Sequence, residues 1–223
     1  MNSKVRAMFT GIIEATGRVS AIKASGVDLK LTIESDSLDF SDVKLGDSIA
    51  SNGVCLTVTA LDGKSFNADV SGETVKRTLF GQYKAGQLLN LEKALLATGR
   101  LGGHLVSGHV DGISSVEKIE KFGEAWQIWI KMPKDLAHYI AEKGSITVDG
   151  ISLTVNELSA SAFRLTIVPH TARETTLMNL KAGSQVHLEV DLIARYLERL
   201  LQGREGAGSK GVTMDLLQQR GFL

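Results

Sequence analysis

Apolar and polar residues alternate in short runs along most of the chain. Val27 to Ile33 (VDLKLTI), Val54 to Val58 (VCLTV), Leu153 to Glu157 (LTVNE), Phe163 to Ile167 (FRLTI) and Val186 to Val190 (VHLEV) all follow this rule. A period of two is the mark of a half-buried strand. Gly, Asp, Asn and Ser bound the runs, and Asp62-Gly63 stands between two of them as a hairpin signal. Pro133 and Pro169 are the only prolines, so little interrupts the ladders. Short strands with this punctuation predict small antiparallel barrels, closed or nearly so. Lys134 to Glu142 and Asp36 to Lys44 predict short helical connections within them.

Asp191 to Gln202 breaks the alternation. Leu192, Ile193, Tyr196, Leu197, Leu200 and Leu201 recur at helical spacing, with Arg195, Glu198, Arg199 and Gln202 opposite. Asp191 suits an N-cap and Gly203 the position just past the helix end. Two readings are open: a helix packed on its own barrel, or one that meets copies of itself in an oligomer. The second is preferred, because the helix follows both barrels instead of lying inside one. Gly203 to Gly211 (GREGAGSKG) has the composition of a flexible linker. Val212 to Leu223 fits either a short docked helix or a frayed tail.

The pattern occurs twice, at an offset of 97 residues. Ile49 to Val58 (IASNGVCLTV) and Ile146 to Val155 (ITVDGISLTV) share five of ten residues, with Gly53 on Gly150. The same offset brings Lys84 to Glu92 (KAGQLLNLE) onto Lys181 to Glu189 (KAGSQVHLE), and Thr10 to Glu14 onto Ser107 to Asp111. One offset joining three windows indicates a duplicated domain, since solenoid periods are much shorter. Each half, roughly 90 residues, is large enough to bury a core of its own. Two like domains can each hold one copy of the same small molecule.

Composition adds exclusions. The 223 residues carry no net charge and no basic block, which argues against nucleic acid as a partner. The start has no signal-peptide character, and no run reaches the length of a membrane span, so a soluble cytoplasmic protein without a membrane partner is expected. Cys55 is the only cysteine, which excludes an internal disulfide.

His104 to His109 (HLVSGH) is the densest polar cluster. Its two histidines are five apart, a spacing that suits neither a helix face nor a strand face, so no metal site is expected. Gly99 to Gly103 (GRLGG) lacks a phosphate-cradling pattern and reads as a linker. Ser107, His109 and Asp111 are too close together in one extended segment to form a hydrolase relay. Cys55 and Thr57 share one strand face, as do Ser152 and Thr154. Cys55 is then either a small core filler or the lining of a polar pocket.

Four segments, Met8 to Glu14 (MFTGIIE), Asn52 to Val58 (NGVCLTV), Gly102 to Asp111 (GGHLVSGHVD) and Asp149 to Asn156 (DGISLTVN), resemble the signature segments of the riboflavin synthase α-chain family. The likeness runs in order from Met8 to about Gly203. It implies an all-β fold: two tandem homologous six-stranded antiparallel Greek-key barrels followed by a C-terminal α-helix that assembles a homotrimer. The corresponding division is an extension or tag over residues 1–7, barrels over 8–99 and 105–190, a linker over 100–104, a trimerisation helix over 191–203 and a tail over 204–223. The implied reaction is a dismutation. One 6,7-dimethyl-8-ribityllumazine gives a four-carbon unit to a second, yielding riboflavin and 5-amino-6-ribitylamino-uracil without a cofactor or metal. Each barrel binds one lumazine, and the first barrel of one subunit faces the second barrel of its neighbour.

Matched by motif, Ser152, Thr154, Val168, His170 and Thr171 bind a lumazine in the second barrel, and Thr57, Gly72 and Thr74 do so in the first. Thr10, His104 and Val110 join the substrate-binding set. The chemistry removes a proton from one C7 methyl and adds a nucleophile at the other C7; the resemblance puts His109, Ser48, Cys55 and Thr57 near that step. Histidine suits a proton carrier near neutral pH. Phe9, Lys143 and Asp191 match positions tied to activity, with an ion pair between domains or subunits as an equal reading of Lys143 and Asp191. The chain departs from relatives in its seven residues before Met8 and in Val54, where relatives often carry a second cysteine. A non-catalytic lumazine- or flavin-binding fluorescent protein of the same fold is the alternative. The intact Gly102–Asp111 and Ile151–Thr154 segments favour the enzyme.

Overall fold

The structure, a computed structural model, describes residues 7–206. The expected extension, apart from Ala7, and the chain after residue 206, including Val212 to Leu223, lie outside the described residues. The first half folds as β1 (Ala15–Ser25), β2 (Asp28–Glu34), β3 (Ser48–Ser51), β4 (Val54–Asp62), β5 (Ser65–Val70) and β6 (Leu88–Lys93). The second folds as β7 (Gly112–Phe122), β8 (Ala125–Lys131), β9 (Ser145–Val148), β10 (Ile151–Leu158), β11 (Ala162–Ile167) and β12 (Gln185–Val190). Each half closes into a six-stranded antiparallel barrel, in order β1-β2-β5-β4-β3-β6 and, equivalently, β7-β8-β11-β10-β9-β12. The fold is all-β, as the alternation predicts.

The repeat extends to irregularities. Bulges at Val19/Ala21 and Val58/Ala60 in the first barrel recur at Val116/Lys118 and Val155/Glu157 in the second. A bulge bends its strand and raises its twist, which a six-stranded sheet needs to close. Inward residues of each barrel form a separate core, with Phe66, Leu31 and Ile33 in one and Phe163, Ile128 and Ile130 in the other. Each such side chain contributes about 1.5–3 kcal/mol by leaving water.

Two expectations need correcting. Asp36 to Lys44 forms bends and turns, and in its counterpart only Lys134–Tyr139 is helical, as a 3-10 segment. Local side chains capture the backbone donors that a helix would use: Ser35 Oγ accepts from the N–H of Ser37 and Leu38, Asp39 from Ser41, and Asp47 from Lys44. The C-terminal helix also passes the expected stop at Gly203. α3 spans Leu192–Gly206, since one glycine costs a helix only about 1 kcal/mol among good helix formers.

The chain through Asp191 is one compact unit, with α3 in a second. Within the first unit the barrels meet about an approximate twofold. Gly53 and Gly150 touch there with φ of 79° and 80°. A Cβ on either would stand 2.8 or 2.6 Å from the other's amide nitrogen, so only glycine permits the contact. Beside it, Asn90 donates to the Asp149 carbonyl (3.0 Å) and accepts from Thr176 N–H (2.8 Å). Its repeat mate His187 donates from Nδ1 to the Asn52 carbonyl (2.8 Å) and accepts Leu79 N–H at Nε2 (2.7 Å). That pattern requires a neutral ring, and burial pushes the His187 pKa down to about 4. Asp149, fully enclosed, accepts His187 N–H at 2.8 Å and is pushed up to about 7 by burial.

Candidate active site

β4 sends Val54, Leu56 and Val58 into the core and turns Cys55, Thr57 and Thr59 outward. β10 likewise buries Ile151 and Val155 and turns Ser152 and Thr154 outward. These polar side chains therefore line a barrel exterior. β5 and β11 lead into two short helices at the same end of β4 and β10, because Val58 pairs with Ala68 and Val155 with Leu165. α1 (Gly72–Arg77) carries Gly72 and Thr74, and α2 (Pro169–Glu174) carries His170 and Thr171, with Val168 as its exposed N-cap.

Two extended straps complete the faces. Phe9 to Ile13 and Val106 to Val110 meet as a reciprocal antiparallel pair, Phe9 N–H to Val106 carbonyl (2.8 Å) and back (3.1 Å). Each then runs onto the other barrel. Gly11 accepts Ser152 N–H at 2.8 Å, and Gly108 accepts Cys55 N–H at 2.9 Å. A Cβ on either glycine would lie 2.6 Å from the Ser152 or Cys55 Cβ. His109, exposed, directly follows Gly108 and so stands beside the Cys55 face.

The first face thus joins Ser48, Cys55, Thr57 and the His109 segment. Ser48 pairs with Thr57 across β3–β4 and hydrogen-bonds the Cys55 thiol. Burial raises the thiol pKa against that hydrogen bond, and the Glu189 charge adds to the rise. Cys55 is therefore a neutral thiol at physiological pH, able to donate a hydrogen bond and unsuited to act as a thiolate nucleophile. Val110 packs against the first core. The second face joins Ser152 and Thr154 to His104, whose Nδ1 lies 2.7 Å from Ser152 Oγ. Nε2 of His104 is buried without a partner. Burial lowers the His104 pKa, and the nearby Asp191 charge opposes the shift.

Other expected residues sit differently. Phe9 is fully buried, packed with Ala50, Val106 and Cys55, so it supports the face from beneath. Thr10 gives its N–H and hydroxyl to Glu92, and its carbonyl accepts His104 N–H. Lys143 is exposed, in the left-handed region at φ 66°, where its repeat mate is Gly46 at φ 91°. Sequence reasoning passed over Glu92, Glu189, Asn90 and His187. The identical Glu92 and Glu189 within the repeated KAG windows were the signal available.

The two halves have known counterparts. Residues 10–94 and 107–191 each match the Lumazine binding domain family. The chain is 54% identical to riboflavin synthase of Photobacterium phosphoreum over 97% of its length and 100% of that protein. It is 43% identical to riboflavin synthase of Bacillus subtilis (strain 168), over 96% of its length and 100% of the relative. The chain belongs to the riboflavin synthase family. LumP in complex with riboflavin superposes with a TM-score of 0.74 at 25% identity, over 82% of this chain and 98% of LumP. LumP with 6,7-dimethyl-8-(1'-D-ribityl) lumazine gives 0.73 at 24% identity over the same shares, a likeness of fold. The matched repeats begin at Thr10 and Ser107, the strap residues that Glu92 and Glu189 hold.

Proposed function

We propose that this chain is a riboflavin synthase that binds one 6,7-dimethyl-8-ribityllumazine on each barrel. It dismutates two lumazines, moving a four-carbon unit from one to the other to yield riboflavin and 5-amino-6-ribitylamino-uracil. Near-full-length identity to riboflavin synthases carries the reading. The duplicated polar faces supply its physical sense, since near-twofold sites present two copies of one ring system to each other and provide proximity and orientation.

At the first face, the Cys55 thiol and the Ser48 and Thr57 hydroxyls hydrogen-bond the pteridine edge, and His109 carries the proton of the C7 methyl. At the second, Ser152, Thr154, His104, His170 and Thr171 hold the other lumazine and its ribityl chain, with Gly72 and Thr74 as the matching helix turn of the first. Lys143 and Asp191 flank the second site. The active assembly is a homotrimer in which the first barrel of one subunit meets the second of its neighbour. Ile193, Tyr196, Leu197, Leu200 and Leu201 form an apolar stripe on α3 that is 55–67% exposed in the single chain, which supports this assembly. The enzyme is soluble and cytoplasmic, in keeping with a lone free Cys55. No helix among the described residues is long and apolar enough to cross a membrane.

The test is to mix purified protein with 6,7-dimethyl-8-ribityllumazine alone and follow riboflavin by absorbance. One riboflavin for every two lumazines consumed is expected. Tight binding without product would instead make the chain a lumazine-binding protein like LumP, which its fold also resembles.

A further inference from the structure

We infer that Glu92 and Glu189 are positioning residues that act across the molecule: Glu92 of the first barrel sets the ligand site of the second, and Glu189 of the second sets that of the first. The inference rests on the two-site reading above and goes beyond it by saying what holds each site in shape.

The two carboxylates are built alike. Glu92 accepts Thr10 N–H (2.7 Å) and Thr10 hydroxyl (2.8 Å) on one oxygen and Gly11 N–H (2.9 Å) on the other. Glu189 accepts Ser107 N–H and hydroxyl (both 2.7 Å) on one oxygen and Gly108 N–H (3.0 Å) on the other. Both side chains are nearly enclosed, at 4% and 1% exposed. An enclosed acid with three donors aimed at it fixes those donors strongly, because leaving any of them unpaired is costly.

What those donors belong to gives the inference its direction. Glu92 holds Thr10 and Gly11; the Thr10 hydroxyl accepts Ile12 N–H within the strap (3.2 Å), and the two strap carbonyls lead to the second site. The Thr10 carbonyl takes His104 N–H (3.1 Å), the Gly11 carbonyl takes Ser152 N–H (2.8 Å), and His104 Nδ1 meets Ser152 Oγ (2.7 Å). Glu189 holds Ser107 and Gly108, and the Gly108 carbonyl takes Cys55 N–H (2.9 Å) on the first barrel, with His109 the next residue. The straps can reach across because β10 pairs with β11 only from Val155 onward and β4 with β5 only from Val58 onward. That leaves the Ser152 and Cys55 amides free for a strap.

Glu92→Gln and Glu189→Gln test the direction. Glutamine keeps one carbonyl acceptor for the threonine or serine donors but turns an N–H₂ toward the glycine N–H, so the strap loses its second anchor. The readout is the NMR spectrum of ¹³C-labelled 6,7-dimethyl-8-ribityllumazine bound to the full-length protein, with one bound signal per site. Thr57→Val and Thr154→Val identify the signals of the first and second barrels. Glu92→Gln should weaken binding at the second-barrel signal about tenfold and spare the first. Glu189→Gln should do the reverse and, by displacing His109, also lower turnover. Thr10→Val, which removes the hydroxyl bonds to Glu92 and from Ile12, and Ser107→Ala, which removes the hydroxyl bond to Glu189, should shift the same signals by less and serve if a glutamine variant does not fold. Loss at each glutamate's own barrel, equal loss at both sites, or no loss would overturn the inference. If Thr57→Val and Thr154→Val do not each remove a different signal, the two-site reading itself falls, and the inference with it.

Discussion

Single residues show how the two repeats have diverged from a common plan. Gly46 and Lys143 are mates, and both turn the chain with positive φ into their third strand, donating N–H to the Val58 and Val155 carbonyls. Glycine adopts that conformation freely, whereas a side chain in it costs about 1–2 kcal/mol. In the proposed mechanism the position needs the lysine for its ammonium group. Lys143→Gly should therefore raise the melting temperature by two to four degrees, the change expected for about 1 kcal/mol in a protein of this size, and lower lumazine turnover at least tenfold. A stabilised variant with full turnover would remove Lys143 from the mechanism. Cys55 makes the complementary point: burial and the Glu189 charge hold it as a thiol, which suits the hydrogen bonding proposed for it.

At the level of elements, β6 and β12 carry the interface between the barrels. Asn90 and His187 bind across it, and Asp149 answers His187 from the turn before β10. Asp149 has a folded pKa of about 7 against an ordinary 3.8. Its contribution to stability is therefore full below about pH 4 and lost as pH rises through 7. His187 has the opposite sign. With a folded pKa of about 4 against 6.5, its contribution is full above 6.5 and lost as pH falls through 4. Between those limits the two slopes oppose, and above 6.5 the aspartate acts alone. Asp149→Asn keeps the carbonyl that accepts His187 N–H and reproduces Asn52 at the mate position. In thermal melts it should gain on the parent as pH rises from about 4 to 7, by up to about 1.4 kcal/mol per pH unit, and run parallel above that. A difference independent of pH would mean that Asp149 is ionised throughout.

For the whole molecule, the proposed trimer rests on α3, whose apolar residues are exposed in the single chain. Leu197→Glu with Leu200→Glu should give monomers on analytical ultracentrifugation. The barrels should stay folded and bind lumazine, while turnover is lost because the proposed reaction needs two subunits. Persistent trimers would remove the helix from the assembly.

Much of this was legible in the chain itself. Period-two alternation predicted the half-exposed strands, the 97-residue offset predicted two like barrels, and the paired Cys55/Thr57 and Ser152/Thr154 patterns offered a polar pocket lining as one of two readings. These follow from local geometry, since successive side chains of a strand point to opposite sides whatever surrounds it. The helices expected over Asp36 to Lys44 failed for a local reason too, as serine and aspartate side chains captured the backbone first. The rest belonged to tertiary structure. β6 and β12 are buried on both faces, so the alternation of Val186 to Val190, which reads as a half-exposed strand, set His187 and Glu189 toward solvent although they are enclosed, as are Asn90 and Glu92. Thr10 read as a contact for substrate, but in the fold its hydroxyl is held by Glu92. Which barrel each strap serves depends on contacts between residues far apart in the chain. Those exist only once two closed barrels meet about their twofold and each offers an unpaired strand edge to the other.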